Sequence, residues 1–302
     1  MPDRPIFALS YDFDKTLSPR NMQEYAFIDD IGMTAEDFWA ECNSCMRVNH
    51  MDDILAYMYV MRKKARGKFL LTRRTLSELG RGVELFPGVD TWFARVNAYA
   101  ERKGIKAEHY IISSGLKEII EGTPIAGEFE RIYAAEYCYD EDDIPVWPAM
   151  AVNYTSKTQF LYRINKGVFD VTDSNGLNEF MPEEKRRVPF RNMVYIGDGY
   201  TDVPCMRVMR SSGGHAIAVF SDSTDRMSEL VLKGRADYAV TTDYSAGSDM
   251  EKVVFSLIDL AAAEDVTAKL HAESMALAQR QADEKRIREW EAQRGADCGV
   301  RR

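Results

Sequence analysis

Four short apolar runs, each closed by small polar or acidic residues, set the strongest limit on what this chain can fold into. They are residues 6–11 before Asp12, 109–112 before Ser113, 193–196 before Gly197 and 215–220 before Ser221. Amphipathic stretches long enough for helices lie between them, such as residues 89–103 and 116–121. Strands that alternate with helices predict an α/β fold with a parallel sheet and helical crossovers. In such sheets the chemistry gathers beyond the carboxyl ends of the strands. The polar residues that close the four runs hold that position.

Residues 21–85 break the alternation. They read as helices over 35–46, 51–65 and 72–80, and Phe86-Pro87-Gly88-Val89 then marks a turn and a new helix start. A helical module inserted after the first strand accounts for this. Residues 131–154 read as extended segments joined by the acidic turn Asp140-Glu141-Asp142-Asp143. The polar stretch 165–189 reads as a long surface excursion. From Ala261 the chain is rich in Ala, Glu, Gln and Arg without a strong apolar stripe, which predicts a solvated helix. The expected division is a core of residues 1–20 and 86–260, a helical module of 21–85, and a C-terminal extension of 261–302. A length of 302 residues suits one large domain with a smaller partner.

Composition excludes several classes of function. The formal net charge is -9, opposite in sign to what a track along nucleic acid needs. No stretch approaches the roughly 18 uncharged apolar residues of a spanning helix, and the start of the chain lacks the longer apolar core of a signal peptide. The expectation is a cytoplasmic protein with no membrane and no nucleic-acid partner. The five cysteines are odd in number and scattered, which fits a reducing compartment. Cys42 and Cys45 form a C-x-x-C, but no second Cys or His pair stands at zinc-site spacing, and His50 alone completes nothing.

Four constellations carry chemistry. In Asp12-Phe13-Asp14-Lys15-Thr16 two carboxylates stand at i and i+2 just past the first strand. One can attack phosphorus while the other protonates the leaving oxygen and then activates water; an Asp-rich helix-capping turn reads the same way. Ser113-Ser114-Gly115 presents a hydroxyl and main-chain N–H groups ahead of a helix start, as an anion site or an ordinary N-cap. Lys157 is a lone lysine, which on its own reads as surface. In Gly197-Asp198-Gly199-Tyr200-Thr201-Asp202 two aspartates four apart can hold a hard cation beside a tight turn.

Standing in this order at strand ends, the four motifs resemble those of the haloacid dehalogenase-like hydrolase superfamily over roughly residues 6–206. The resemblance implies a Rossmann-like parallel sheet with an inserted helical cap of the phosphoserine-phosphatase kind. It also implies a magnesium-dependent phosphomonoester hydrolase that forms an aspartyl-phosphate with a small phosphorylated metabolite. Asp12 is then the nucleophile and Asp14 the general acid/base, with Thr16 positioning Asp14 and the loop. Ser113, the Ser114 main chain and Lys157 hold the transferring group. Mg2+ takes Asp12, the Asp14 carbonyl and Asp198, supported by Asp202. An acid at position 14 favours a phosphatase over a dehalogenase or an ion-pumping ATPase. The stretch from Lys157 to Asp198 is longer than the family pattern leads one to expect, so Lys166 stands as the alternative to Lys157.

A phosphomutase or phosphotransferase needs the same aspartates and is not separated from a hydrolase by these residues. A phosphate-binding regulator without activity has no need of the second carboxylate. The basic run Arg62, Lys63, Lys64, Arg66, Lys68, Arg73 and Arg74 has no acidic residue among its members' span. It reads either as a solvated face or as a cluster that draws an anionic substrate into the cleft. Arg20, after the first motif, is a second candidate for that role.

Overall fold

The first apolar run becomes a central strand because all six residues of Ile6–Tyr11 (β1) are buried, as a strand covered on both faces requires. Phe7, Leu9 and Tyr11 join one apolar cluster and Ile6 and Ala8 another, so the alternation of the strand separates two cores. The computed structural model describes residues 4–221 and 229–299, excepting the side chains of Tyr200 and of residues beyond 290. The remaining strands are Lys106–Leu116 (β2), Arg131–Tyr139 (β3), Pro145–Met150 (β4), Met193–Gly197 (β5), His215–Phe220 (β6) and Tyr238–Thr241 (β7). They form a seven-stranded sheet in the order β4-β3-β2-β1-β5-β6-β7. Only the β3–β4 pair is antiparallel. This is the α/β architecture expected from the alternation of runs.

The helices are Phe27–Asp30 (α1), Ala35–Asn49 (α2), Asp53–Ala65 (α3), Arg73–Gly80 (α4), Val89–Arg102 (α5), Lys117–Glu121 (α6), Lys157–Lys166 (α7), Ser174–Asn178 (α8), Val203–Ser211 (α9) and Asp249–Gly299 (α10). Among the described residues, no strand lies between β1 and α5. The helices there start at side-chain caps. Thr34 Oγ1 accepts from the Asp37 N–H, Asp52 from Ile54 and Leu55, and Thr72 and Thr75 form a reciprocal box. Their apolar faces join the same cluster as Leu9 and Tyr11, so the insert and the sheet share one core. Closeness is extreme where α4 meets α6. A Cβ on Gly80 would stand 2.1 Å from the Ile119 carbonyl oxygen, and one on Gly122 only 1.7 Å from that of Ser77. Two glycines therefore let the backbones touch.

Three expectations are revised. β2 does not stop at Ile112 but runs through Ser113 to Leu116, with its pairing to β3 shifting between Ile112 and Leu116. β7 is a strand that four residues were too few to announce. The C-terminal helix does not begin at 261. It starts at Asp249, buries Met250, Val254, Leu257, Ile258 and Ala261, and leaves Leu270, Met275 and Ile287 exposed farther on. Among the described residues, no helix is long and apolar enough to cross a membrane.

The stretch 165–189 is largely exposed, yet it is tied down by α7. The Arg163 guanidinium donates to the carbonyls of Asp170, Val171 and Asp173, and Lys166 donates to those of Leu177 and Glu179. Carbonyls met in this way keep the excursion on one path, although its own secondary structure is little more than the short α8. It returns to the sheet through Arg187, whose two N–H groups reach both oxygens of the buried Glu108 at 2.7 Å. Tyr110 and Lys106 donate to the same carboxylate.

Burial works to raise the Glu108 pKa, but the hydrogen bonds from Arg187, Lys106 and Tyr110 overcome this and hold it at about 2, below its ordinary 4.5. A depressed carboxyl contributes stability that is present above its ordinary value and lost as pH falls through the folded value. Arg187→Ala should therefore cost about 3 kcal/mol at neutral pH and move acid unfolding to higher pH. Denaturant melts across the acid range test this. Coincident acid limbs for the variant and the parent would show that the pair does not anchor the excursion.

Candidate active site

The loop after β1 is built by main-chain bonds. The Asp12 N–H continues the ladder to the Ile196 carbonyl at 2.9 Å, and the Phe13 carbonyl accepts from Thr16, Leu17 and Ser18. Lys15 takes a left-handed φ of 59° to close this turn. Tyr244 Oη donates to the Thr16 carbonyl at 2.9 Å and the Phe86 N–H to that of Leu17 at 2.9 Å, so distant elements hold the loop. Asp12 Oδ1 accepts from Phe13 N–H at 2.8 Å, and Asp14 Oδ1 from Met22 N–H at 2.9 Å. Thr16 Oγ1 is buried and has no hydrogen-bond partner among the described residues. The Met22 main-chain nitrogen thus holds Asp14, while Thr16 takes part in the loop through its own N–H and carbonyl.

Lys157, the first residue of α7, is fully buried, and its Nζ lies 2.9 Å from Asp12 and 2.8 Å from Asp202. Burial by itself would lower its pKa, but the two carboxylates outweigh this and raise it. Asp202 is fully buried too. Its Oδ1 also accepts from Tyr195 Oη at 2.6 Å and its Oδ2 from the Gly199 N–H at 3.2 Å. Lys166 points elsewhere, into the excursion.

Asp198 follows β5 and faces Asp12. One oxygen from each of Asp12, Asp198 and Asp202 falls within 4.8 Å of the others. Burial and the charge of Asp202 push Asp12 up to about 6 against the pull of Lys157. Burial, Asp202 and Asp12 push Asp198 up to about 7. Asp14 rises well above its ordinary value, through burial and then the charge of Asp12. One buried ammonium therefore serves a group of carboxylates that repel one another.

These residues open on a cavity of about 360 Å³ lined by Asp12, Asp14, Lys15, Ser113, Ser114 and Asp198. Ser113 Oγ accepts from the Gly115 N–H at 3.0 Å, which braces the irregular end of β2. The helix after it has five residues, so what borders the cavity here is strand and turn. A second chamber of about 230 Å³ adjoins through Asp14, Asp53, Ile54, Ser114 and Gly115 and is walled by α2 and α3. None of the basic residues from Arg62 to Arg74 lines either space. Lys63 and Lys64 pair with Glu41, Arg73 with Asp143 and Arg74 with Glu78. Arg20 pairs with Glu84 and covers the Tyr25 ring.

Sequence reasoning brought together Asp12, Asp14, Ser113, Ser114, Lys157, Asp198 and Asp202, all of which lie in or against this cavity. It missed Met22, whose contribution is a backbone N–H that no side chain announces. It also missed Tyr195. The signal there is a tyrosine inside a fully buried strand, whose hydroxyl must find a partner. Tyr57 of α3 was likewise unseen; its hydroxyl donates to the Ser114 carbonyl at 2.8 Å and joins the insert to the cavity wall. Cys42 of the C-x-x-C is a free thiol that lines the chamber.

A family model described as haloacid dehalogenase-like hydrolase matches residues 9–207. That span holds the four motifs and agrees with the resemblance drawn from them. A protein of Borreliella burgdorferi, described as an uncharacterized protein, is 27% identical over 285 residues, covering 83% of this chain and 98% of its own. Among solved structures, a HAD family hydrolase from Salmonella enterica serovar Typhi is similar with a TM-score of 0.54 at 15% identity, over 86% of this chain and 73% of that one. A phosphoserine phosphatase in a phospho-aspartyl intermediate analogue form has a TM-score of 0.52 at 13% identity, over 83% and 98%. What is shared at such identities is the fold.

Gly197 sits where strand β5 passes beneath Asp202. A Cβ there would stand 2.5 Å from Asp202 Oδ2 and 2.6 Å from its Cγ. Gly197→Ala should displace that carboxylate from Lys157 and Tyr195 and destabilise the protein by about 2–4 kcal/mol, as other breaks in buried charge pairs do. Thermal unfolding measures this. A melting point equal to that of the parent would mean that Asp202 can move without loss.

Proposed function

The chain belongs to the haloacid dehalogenase-like hydrolase family, and on that premise we propose that it hydrolyses phosphomonoesters by way of an aspartyl-phosphate on Asp12, with magnesium as cofactor. The observation that carries the reading is the arrangement of two carboxyls on one cavity. Asp12 is held by Lys157, and Asp14, two residues on, is held by a main-chain N–H and bears a raised pKa.

A carboxylate oxygen of Asp12 attacks phosphorus. The bond from phosphorus to the alcohol oxygen breaks, and the Asp14 carboxyl gives that oxygen its proton. Asp14, now ionised, takes a proton from water as the water oxygen attacks the same phosphorus. The bond to Asp12 breaks, inorganic phosphate leaves, and both aspartates regain their starting state. The net change is ester plus water to alcohol plus phosphate. Burial of Asp14 beside the charge of Asp12 favours its protonated form, which the first step needs. Ser113 and the Ser114 main chain border the cavity where the phosphoryl oxygens sit, and Lys157 fixes the direction of Asp12.

The donor set fits a hard cation. Asp12, Asp198 and the Asp14 carbonyl offer oxygen alone, which suits Mg2+ over softer-ligand metals. Both oxygens of Asp202 are already engaged, which leaves it a supporting role. The raised values of Asp12 and Asp198 mark an excess of negative charge that one lysine does not offset. When bound, the ion supplies positive charge to the phosphoryl oxygens and relieves the repulsion between these carboxylates.

In this reading residues 1–20 and 86–260 form the catalytic core, residues 21–85 the cap, and 261–302 an extension outside the chemistry. The cap meets the core through Tyr57 on Ser114 and through Asp52, which accepts from Asn153 at 2.9 Å. Its role is to exclude water during the first step and to read the alcohol part of a small phosphorylated substrate.

Asp12→Asn should abolish turnover on a phosphomonoester while the melting curve stays cooperative. Asp14→Asn should lower kcat by about 10²–10⁴ and let a phosphoryl adduct on Asp12 persist, visible by intact-mass spectrometry. Retained turnover in Asp12→Asn would reject the nucleophile. Chelation with EDTA should remove activity and magnesium restore it, with calcium a poor substitute because its looser coordination misplaces the reacting groups. Full activity in a chelated sample would reject the metal.

A further inference from the structure

The chamber between α2 and α3 differs in chemistry from the cavity it adjoins. The described residues that line it include no Lys, Arg or His. Its ionisable carboxyls are Asp14, at the catalytic end, and Asp53, at the opening the two spaces share. Asp53 forms no ion pair among the described residues; its Oδ1 accepts only from its own neighbour, the Ile54 N–H, at 3.0 Å. Gln23 lines the chamber, is 2% exposed, and carries an Oε1 with no hydrogen-bond partner. A buried acceptor without a donor is costly unless a ligand meets it.

Two aromatic rings complete the wall. Trp39 and Tyr57 stand 6.4 Å apart between centroids, with planes at 74°, so they form a corner. Trp39 Nε1 donates at 2.7 Å to Glu24, whose Oε1 also accepts from Asn21. An indole that donates to a carboxylate has a more electron-rich face, and such a face attracts cations. The chamber thus offers acceptors, a carboxylate and π faces, and nothing that would neutralise an anion. At about 230 Å³ it is smaller than the roughly 300–1,000 Å³ of pockets for drug-sized ligands, so it takes a short chain.

We propose that the alcohol released by this enzyme carries an ammonium group: the substrate is the phosphomonoester of a short amino alcohol, its phosphoryl group in the aspartate cavity and its cationic end against Asp53, Trp39 and Tyr57. The inference rests on the phosphohydrolase reading of the site. A substrate with a carboxylate on that end is disfavoured, because no cation of the chamber would pair with it and Asp53 would repel it. The cap's basic residues do not alter this, since the Arg62–Arg74 run lies off the lining and Lys63, Lys64, Arg73 and Arg74 are paired elsewhere. The amine takes no part in the chemistry. It stays on the alcohol, which leaves with the proton from Asp14.

The test compares kcat/KM of the magnesium-loaded protein for phosphoethanolamine, phosphocholine, ethyl phosphate and phosphoglycolate. These share the ester and differ in whether the far end is cationic, neutral or anionic. At least one cationic ester should exceed ethyl phosphate tenfold or more, with phosphoglycolate the poorest. A preference of less than tenfold, or phosphoglycolate as the best substrate, would overturn the inference while leaving the hydrolase reading intact. Failure to hydrolyse any of the four would overturn the hydrolase reading and this inference with it. In Asp53→Asn, which keeps the acceptor for Ile54, the ratio of cationic to neutral ester should fall at least fivefold. An unchanged ratio would show that Asp53 does not read the amine.

Discussion

A lysine ammonium shut away from water between two aspartates governs this structure. An unpaired buried charge costs several kcal/mol, so Lys157 can occupy its site only while Asp12 and Asp202 are both in place. That requirement ties three segments together: the end of β1, the loop after β5 and the start of α7. The tie then spreads. Asp202 must also satisfy Tyr195 and Gly199, and Gly197 must lack a side chain for Asp202 to come so close. The excursion after α7 follows from the same placement. With the start of α7 fixed beneath the site, its far end must send the chain around to β5, and Arg163, Lys166 and Arg187 hold that path.

The same group of charges is a source of strain. Asp12, Asp14 and Asp198 all stand above their ordinary pKa values because burial and mutual repulsion exceed what one lysine returns. A core selected for stability alone would replace such carboxylates with apolar residues at little cost or some gain. Their presence together marks a site built for something other than stability. The fold carries this strain at the topological switch point, where β1 lies between β2, the next strand in the chain, and β5, reached from β4 by way of α7.

Much of this was legible in the sequence, and what was legible follows a rule. β1 and β6 match their apolar runs residue for residue because a strand buried on both faces has no other pattern to show. The aspartates and Ser113 were found because each follows such a run. Features set by partners far along the chain were not visible. Lys157 read by itself looks like a surface lysine and is reached only through the family resemblance, because Asp202, which it pairs with, lies beyond the long excursion. Met22 acts through its backbone, Tyr195 through a hydroxyl hidden by its apolar neighbours, and β7 has only four residues. The basic run 62–74 reads either as a solvated face or as a substrate funnel, because sequence adjacency does not reveal pairing with Glu41, Glu78 and Asp143.

The insert is not held equally along its length. α3 buries seven side chains, and α4 lies backbone to backbone on α6, so both are parts of the shared core. α2 buries only Phe38 and Cys42 and is joined to α3 by the ion pairs of Glu41 with Lys63 and Lys64, which are partly exposed and therefore weak. Segments with few buried contacts open at the least free-energy cost. The helix that supplies the outer wall of the chamber, through Trp39, Cys42 and Met46, is thus the one most easily displaced, while the wall bearing Asp53 and Tyr57 stays with the core. That wall keeps its register with Asp12 because Tyr57 is bonded to Ser114, which lines both spaces.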